Sequence, residues 1–223
     1  MELTVTPQFI ILALHPEKGR ITVQDTYFRY SLIGAYFMDL LKSGEISMAD
    51  KRLTSSFRRN GEPFHDKIAD IIEKSSKPRR FSYWIRKFSM KSRLIYKNTI
   101  ASMIDSSIIR HEKRYFLNII PYNRYFINDL RMRNEIVEGL RGVLLYGKQA
   151  TGDQLMLIAL LKASSSHSIL AREKGERRIL RRKCTELMER DELSSEMEKA
   201  IREVRAAIAS AVAVSAATSH GAY

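Results

Sequence analysis

The fold of this chain follows from one segment, which reads Tyr27-Phe28-Arg29-Tyr30-Ser31-Leu32-Ile33-Gly34-Ala35-Tyr36-Phe37-Met38-Asp39-Leu40-Leu41. Eleven of its fifteen residues are apolar, so a helix here has no polar face and must be buried on nearly every side. Thr22-Val23-Gln24-Asp25 has the spacing of a capping box, which predicts the start of this helix, and Gly44 predicts its end. A second run, Leu155–Leu161, is apolar throughout. The two segments together predict the centre of the core.

The rest of the chain predicts a mainly α fold. We expect a single helical domain over residues 1–223, with a buried central helix bundle, short strands and a protruding β-hairpin. Amphipathic or surface helices are predicted at 64–74, 82–105, 129–146, 167–190 and 194–215. Alternating apolar residues predict one short strand within Glu45–Leu53. No run approaches the roughly 20 apolar residues that span a bilayer.

Most of the formal net charge of +13 lies between Lys77 and Arg133, where fourteen Lys or Arg stand against three acidic residues. Within this patch, Tyr115–Ile127 is a strand-like apolar run, broken by the turn signal Pro121-Tyr122-Asn123. Basic residues around an apolar hairpin predict a surface that meets anions and hydrocarbon together, as an anionic membrane offers. The alternative is a hairpin that packs against the core or against another subunit.

Nothing in the sequence indicates catalysis. Gly142–Gln149 nearly fits a phosphate-binding loop, but Gln149 lacks the hydroxyl that holds magnesium, and a helix end at Gly147 is predicted instead. The five histidines are scattered, and Cys184 has no base at a helical neighbour position, so we expect no metal, cofactor or nucleophile. The basic run Arg177–Lys183 is flanked by glutamates at helical spacing, which predicts a solvated face.

Several motifs follow one another along nearly the whole chain. They are Leu3-Thr4-Val5-Thr6 with Phe9–Leu14 and Gly19, then Gly34–Ile46, Asn60-Gly61-Glu62-Pro63-Phe64-His65-Asp66, Trp84 and Leu155–Ala163. Their order and spacing resemble those of the Golgi phosphoprotein 3 family of peripheral membrane proteins. The resemblance implies a mostly α-helical domain with a hydrophobic central bundle and a protruding hairpin.

The resemblance also implies a function. In the eukaryotic members, a tryptophan and several arginines beside the hairpin bind phosphatidylinositol 4-phosphate, and the domain holds the cytoplasmic tails of glycosyltransferases. The tryptophan position corresponds to Gln24, and the arginine positions correspond to Ile33, Arg93 and Tyr96 with the adjoining Lys97. Only Arg93 is retained, which leaves the lipid open and indicates a divergent, bacterial member of the family.

We therefore expect a peripheral protein on the cytosolic membrane face that binds anionic, phosphoinositide-like lipid and acts as an adaptor for membrane-protein tails. The expected headgroup residues are Arg93, Lys97, Arg79, Arg80, Arg86 and Lys87, and the expected membrane-inserting residues are Phe116, Leu117, Ile119 and Ile120.

Two alternatives belong to other classes. One is a winged-helix-like nucleic-acid binder, with Ser92–Ser102 as the recognition helix and Lys113–Ile127 as the wing. The other is a structural module that forms homo-oligomers through the hairpin. A wing that meets phosphate should be polar at its tip, whereas this one reads Ile119-Ile120-Pro121-Tyr122, which favours the membrane.

Overall fold

A computed structural model of the protein describes residues 3–50, 52–55, 63–189 and 196–220. The helices in this part are α1 Val5–Ala13, α2 Asp25–Ser43, α3 Pro63–Glu73, α4 Phe81–Ser89, α5 Ser92–Asp105, α6 Leu130–Tyr146, α7 Gly152–Ala163, α8 Glu176–Glu189 and α9 Glu196–His220. The strands are β1 Ile46–Ala49, β2 Arg52–Ser55, β3 Arg79–Arg80, β4 Ile109–Phe116 and β5 Ile120–Ile127. The predicted mainly α class with short strands is confirmed.

Helix α2 lies at the centre of the core, as its apolar sequence predicts, and packs against α1, α4, α5, α7 and α9. A Cβ at Gly34 would come within 2.9 Å of side-chain atoms of Val204 and Ile208, so the missing side chain lets α9 approach closely. Gly44 ends the helix with a φ of 75°, in the left-handed region that glycine adopts without cost. The run Leu155–Leu161 lies in α7, and its residues from Met156 onward are buried, as predicted.

The predicted capping box at Thr22 is wrong. The N-cap of α2 is Gln24, whose side-chain oxygen accepts a hydrogen bond from the Tyr27 amide. Thr22 is held elsewhere, because its amide and its hydroxyl both donate to the Ala13 carbonyl at the end of α1. The chain is therefore still extended at Thr22, and the helix begins at Asp25.

The N-terminus of α1 is capped from α2, which the sequence alone did not reveal. The Asp39 carboxylate accepts hydrogen bonds from the Val5 amide at 2.7 Å and the Thr6 amide at 2.9 Å. Burial raises the pKa of Asp39 above its ordinary value, and the hydrogen bonds from Thr6 and Val5 oppose that rise. The acidic residue in the middle of an apolar helix therefore ties α1 to α2.

Three predicted elements differ in detail. Instead of one strand within Glu45–Leu53, the chain forms a β1–β2 hairpin that reverses beside Asp50, with β3 pairing antiparallel to β2. The predicted helix 82–105 is two helices, since the chain breaks at Met90 and Lys91. The predicted helix 167–190 is a short 3-10 turn, His167–Leu170, followed by α8 from Glu176.

The other predicted helices, 64–74, 129–146 and 194–215, agree with α3, α6 and α9 to within a few residues. Asn60, Gly61 and Glu62 of the predicted motif, and the predicted helix residues 190, 194 and 195, lie outside the described residues. No helix in the described part is long and apolar enough to cross a membrane.

The predicted hairpin is present as strands β4 and β5, in a separate two-stranded sheet. Its turn is not at Pro121-Tyr122-Asn123, which pairs with Tyr115, Arg114 and Lys113 inside the ribbon. The chain turns instead at Leu117 and Asn118, whose φ values are 49° and 58°, and the Ile119 amide closes the turn on the Phe116 carbonyl. Both strands of a two-stranded ribbon are edge strands, where proline is tolerated.

Candidate functional site

The hairpin ends in an exposed apolar tip, which we define as Phe116, Leu117, Ile119 and Ile120. These side chains are 59%, 75%, 79% and 58% exposed, so the tip does not pack against the core of this chain. Both faces of the ribbon are exposed at the tip, because the hairpin extends beyond the helices. A folded protein seldom leaves four neighbouring large apolar side chains in water unless they meet a partner or a membrane.

Cations surround the tip on both strands. Lys113 lies over the Tyr115 ring at 5.9 Å and Arg124 over the Tyr122 ring at 4.6 Å, so a cation–π contact stabilises each of these two cations. Glu112 is an acidic residue that lies between cations of β4. A hydrogen bond from Arg114 holds the pKa of Glu112 below its ordinary value. The ribbon therefore carries net positive charge directly behind an apolar end.

The base of the hairpin adjoins a cavity between α2 and α5, which we call the base cavity. It has a volume of about 350 Å³. Its polar lining comes from Asp25, Arg29, Ser92, Arg93 and Tyr96, and its apolar lining includes Phe28 and Leu32. Arg29 forms an ion pair with Asp25 at 2.8 Å. Arg93 is exposed and has no ion-pair partner among the described residues. The cavity thus offers one unpaired guanidinium to an anion.

Tyr96 connects the base cavity to the hairpin. Its ring lies edge-on to Phe28 at 5.7 Å and to Tyr125 of β5 at 6.2 Å. Burial, together with the neighbouring Tyr125, raises the pKa of the Tyr96 hydroxyl far above its ordinary value, so it stays a neutral hydrogen-bond donor at any physiological pH. The hairpin is also fixed to the loop before α2, because the Tyr125 amide donates to the Gly19 carbonyl at 2.9 Å.

The structure brings together only part of the predicted headgroup set. Arg93 and Tyr96 line the base cavity, and Lys97 is exposed beside them but outside its lining. Gln24 caps α2, and Ile33 is fully buried in the core, where it cannot touch a headgroup. Arg29, one helical turn before Ile33, occupies the cavity instead. Sequence reasoning missed it, although its spacing of four residues from Asp25 was visible.

The remaining predicted cations lie on β3 and α4. Lys87 is exposed above the Trp84 ring at 5.0 Å, and Trp84 itself is fully buried. Arg79, Arg80 and Arg86 line a second groove near the start of α4. Arg93 lines the base cavity instead, and the two linings have no residue in common. The predicted residues therefore form two separate groups.

The described residues hold no cluster of three His, Cys, Asp or Glu side chains that would bind a metal. Cys184 is buried, and burial raises the pKa of its thiol to about 11, which makes it a poor nucleophile. In the basic run of α8, Arg182 and Lys183 both pair with Glu186, as the predicted solvated face requires. The near-match to a phosphate-binding loop is the end of α6, where Gly147 has a φ of 67°.

Comparison with known proteins gives one family match. The family model described as Golgi phosphoprotein 3 (GPP34) matches residues 6–204, which is most of the chain. This family is not a known enzyme family. A search of curated proteins found no match.

Proposed function

Because this chain belongs to the Golgi phosphoprotein 3 family, we propose that it is a peripheral membrane protein that binds anionic lipid headgroups and inserts its hairpin tip into the bilayer. Family membership is consistent with a phosphoinositide-binding protein. The observation that carries the proposal is the apolar tip, exposed on both faces and backed by cations.

The spacing of the hairpin suits a membrane interface. A strand rises about 3.3 Å per residue, so Lys113 lies about 10 Å behind Phe116, and Arg124 about 13 Å behind Ile120. The headgroup region on each side of a bilayer is about 5–8 Å thick. With the tip at the edge of the hydrocarbon, the backbone of these two residues lies just outside the headgroup region, and their long side chains reach back to the phosphates.

Electrostatic attraction supplies the second part of the binding energy. Each Lys or Arg near an anionic leaflet contributes about 1 kcal/mol. Four or five cations suffice for reversible binding, and those of the hairpin together with Lys87, Arg93 and Lys97 provide them. Arg79, Arg80 and Arg86 add to the same field.

The base cavity is the proposed headgroup site. Arg93 has an unpaired guanidinium, Arg29 lines the same cavity while paired with Asp25, and the Tyr96 hydroxyl remains a donor at all physiological pH. Arginine matches phosphate geometry with paired N–H donors. The cavity lies at the base of the inserting hairpin, so a headgroup bound there and a tip inserted in the same leaflet hold the protein at two points.

The family supports two further parts of the proposal. By analogy with its eukaryotic members, the protein acts on the cytosolic face of the membrane as an adaptor for the tails of membrane proteins. Two alternative functions compete with this proposal. The apolar tips of two chains could associate in a homo-oligomer, or the basic residues of α5 and the hairpin could bind nucleic acid.

Co-sedimentation with vesicles tests the proposal. We expect binding to vesicles that contain phosphatidylserine or phosphatidylinositol 4-phosphate, little binding to neutral phosphatidylcholine, and a steep decrease as salt rises, since exposed charges are screened beyond roughly 8 Å at physiological ionic strength. Equal binding to neutral vesicles would contradict the electrostatic part. Tighter binding to duplex DNA at matched salt would favour the nucleic-acid function.

A further inference from the structure

A second basic groove lies where β2, β3 and α4 meet, away from the base cavity. Its volume is about 430 Å³. Among the described residues, its lining includes no acidic residue and five cations: Arg52, Lys77, Arg79, Arg80 and Arg86. None of the five has an ion-pair partner among the residues that the structure describes. This arrangement differs from the α8 surface, where glutamates offset the cations.

The fold forces these charges together. Antiparallel pairing of β2 with β3 sets Arg52 directly opposite Arg80. Like charges at opposed positions of two strands destabilise a sheet. Helix α4 begins at the next residue and carries Arg86 along the same groove. An anion in the groove would relieve this repulsion.

Two further features point toward a bound anion. The first turn of α4 has no acidic residue, and its N-cap, Arg80, provides no side-chain hydrogen bond. Ser82 and Tyr83 of this uncapped turn line the groove. The Nε atom of Arg79 is buried without a hydrogen-bond partner. The Arg79 guanidinium also lies over the Tyr83 ring at 5.1 Å, which holds it in place.

We propose that this groove is a second anion site that takes a phosphate-bearing ligand, independently of the base cavity. Arginine forks bind phosphate oxygens in pairs, and a helix N-terminus adds amide donors and positive potential. Several unpaired cations favour a ligand of more than one negative charge. The groove and the base cavity have no lining residue in common.

Isothermal titration with inorganic pyrophosphate tests the site in the full chain. The variant Arg80→Gln with Arg86→Gln removes two exposed cations of the groove, and Arg178→Gln with Arg181→Gln removes two exposed cations of α8 as a matched control. Loss of two charged hydrogen bonds should weaken pyrophosphate binding at least about tenfold in the groove variant. The control should change it less than about twofold, and Arg93→Gln should leave this binding event in place.

A vesicle arm distinguishes the source of the phosphate. If the groove variant also loses affinity for vesicles with phosphatidylinositol 4-phosphate beyond the control, the ligand is a lipid headgroup. If vesicle binding is kept while pyrophosphate binding is lost, it is a soluble phosphate compound. Both results support a site.

If the groove variant and the control variant lose the same affinity for pyrophosphate, the proposal is overturned, and the anion is held by diffuse electrostatic attraction. It would also fail if the unmodified protein bound no pyrophosphate. It would fail as well if the protein bound duplex DNA and the groove variant lost DNA binding but kept pyrophosphate binding. Failure of the vesicle assay alone would count against the proposed membrane function and leave the pyrophosphate result unaffected.

Discussion

Replacing Leu117 and Ile119 by glutamate should abolish vesicle binding and barely change stability. The two side chains are 75% and 79% exposed, so about a quarter or less of each is buried in the folded chain. Full burial of such a side chain contributes about 1.5–3 kcal/mol, which makes the loss of folding free energy about 1 kcal/mol for the pair. In a protein of this size that lowers the melting temperature by about 2–4 °C.

The effect on membrane binding is much larger. Transferring the exposed three-quarters of both side chains into the interface contributes about 2–4 kcal/mol, or roughly 30- to 700-fold in the partition coefficient. Two new negative charges beside an anionic leaflet weaken binding further. Scanning calorimetry and vesicle co-sedimentation measure the two effects on the same sample.

The matched control is Tyr146→Glu with Ile179→Glu, which makes the same charge change at two exposed apolar residues on α6 and α8. It should keep vesicle binding within a fewfold of the unmodified protein. The complementary tip pair, Phe116→Glu with Ile120→Glu, should act like the first pair with a somewhat larger loss of stability, since these residues are less exposed. If both tip pairs unfold the protein or split an oligomer, the hairpin is structural and the insertion argument is refuted.

Three other predictions concern single residues. Arg93→Glu should weaken binding to vesicles with phosphatidylinositol 4-phosphate more than Arg178→Glu does, because only Arg93 lines the base cavity; equal losses in co-sedimentation would indicate attraction without a pocket. A hydrogen bond from Arg141 lowers the pKa of Glu176 from 4.5 to about 2, so its stabilisation is complete above the unfolded pKa and disappears as pH falls toward 2. Urea unfolding should therefore show that the loss of unfolding free energy caused by Glu176→Gln shrinks as the pH falls over that range. A loss that stays constant with pH would contradict the lowered pKa of Glu176. The Cys184 thiol, with a pKa of about 11, should resist alkylation in the native protein and react on unfolding; rapid native labelling followed by mass spectrometry would count against its burial.

The sequence predicts the parts of the fold that depend on apolar patterning. Helix α2 and the run Leu155–Leu161 have no polar face, and no arrangement other than burial accommodates them. Gly44 ends α2 where predicted because few other residues adopt its left-handed conformation at low cost. The sequence also predicts the hairpin, but it leaves packing of the tip against the core open, and the structure shows the tip exposed.

Features set by tertiary contacts were not predictable from local signals. The Pro121-Tyr122-Asn123 signal is typical of turns, yet a two-stranded ribbon accommodates proline on an edge strand, and Leu117 with Asn118 form the turn. The break between α4 and α5 has no glycine or proline to mark it. The cap of α1 by Asp39 joins residues more than thirty positions apart.

The sequence predicted which kinds of residue form the candidate site better than it predicted which of them lie together. Counting charges locates the basic patch. The pairing of β2 with β3, however, determines that Arg52 lies beside Arg79 and Arg80. The rotation of α2 about its axis determines that Arg29 lines the base cavity while Ile33 is buried. Each of these choices depends on contacts between distant segments.

The most direct measurement of membrane insertion places an environment-sensitive fluorophore at the tip. Leu117→Cys labelled with a nitrobenzoxadiazole dye reports on the tip, Tyr146→Cys reports on a distant exposed site, and the buried Cys184 remains unlabelled. On anionic vesicles we expect a blue shift, and quenching by lipid-borne quenchers, at position 117 and neither at position 146. Insertion would be contradicted if the protein bound these vesicles while the dye at position 117 stayed in water, or if both positions responded equally.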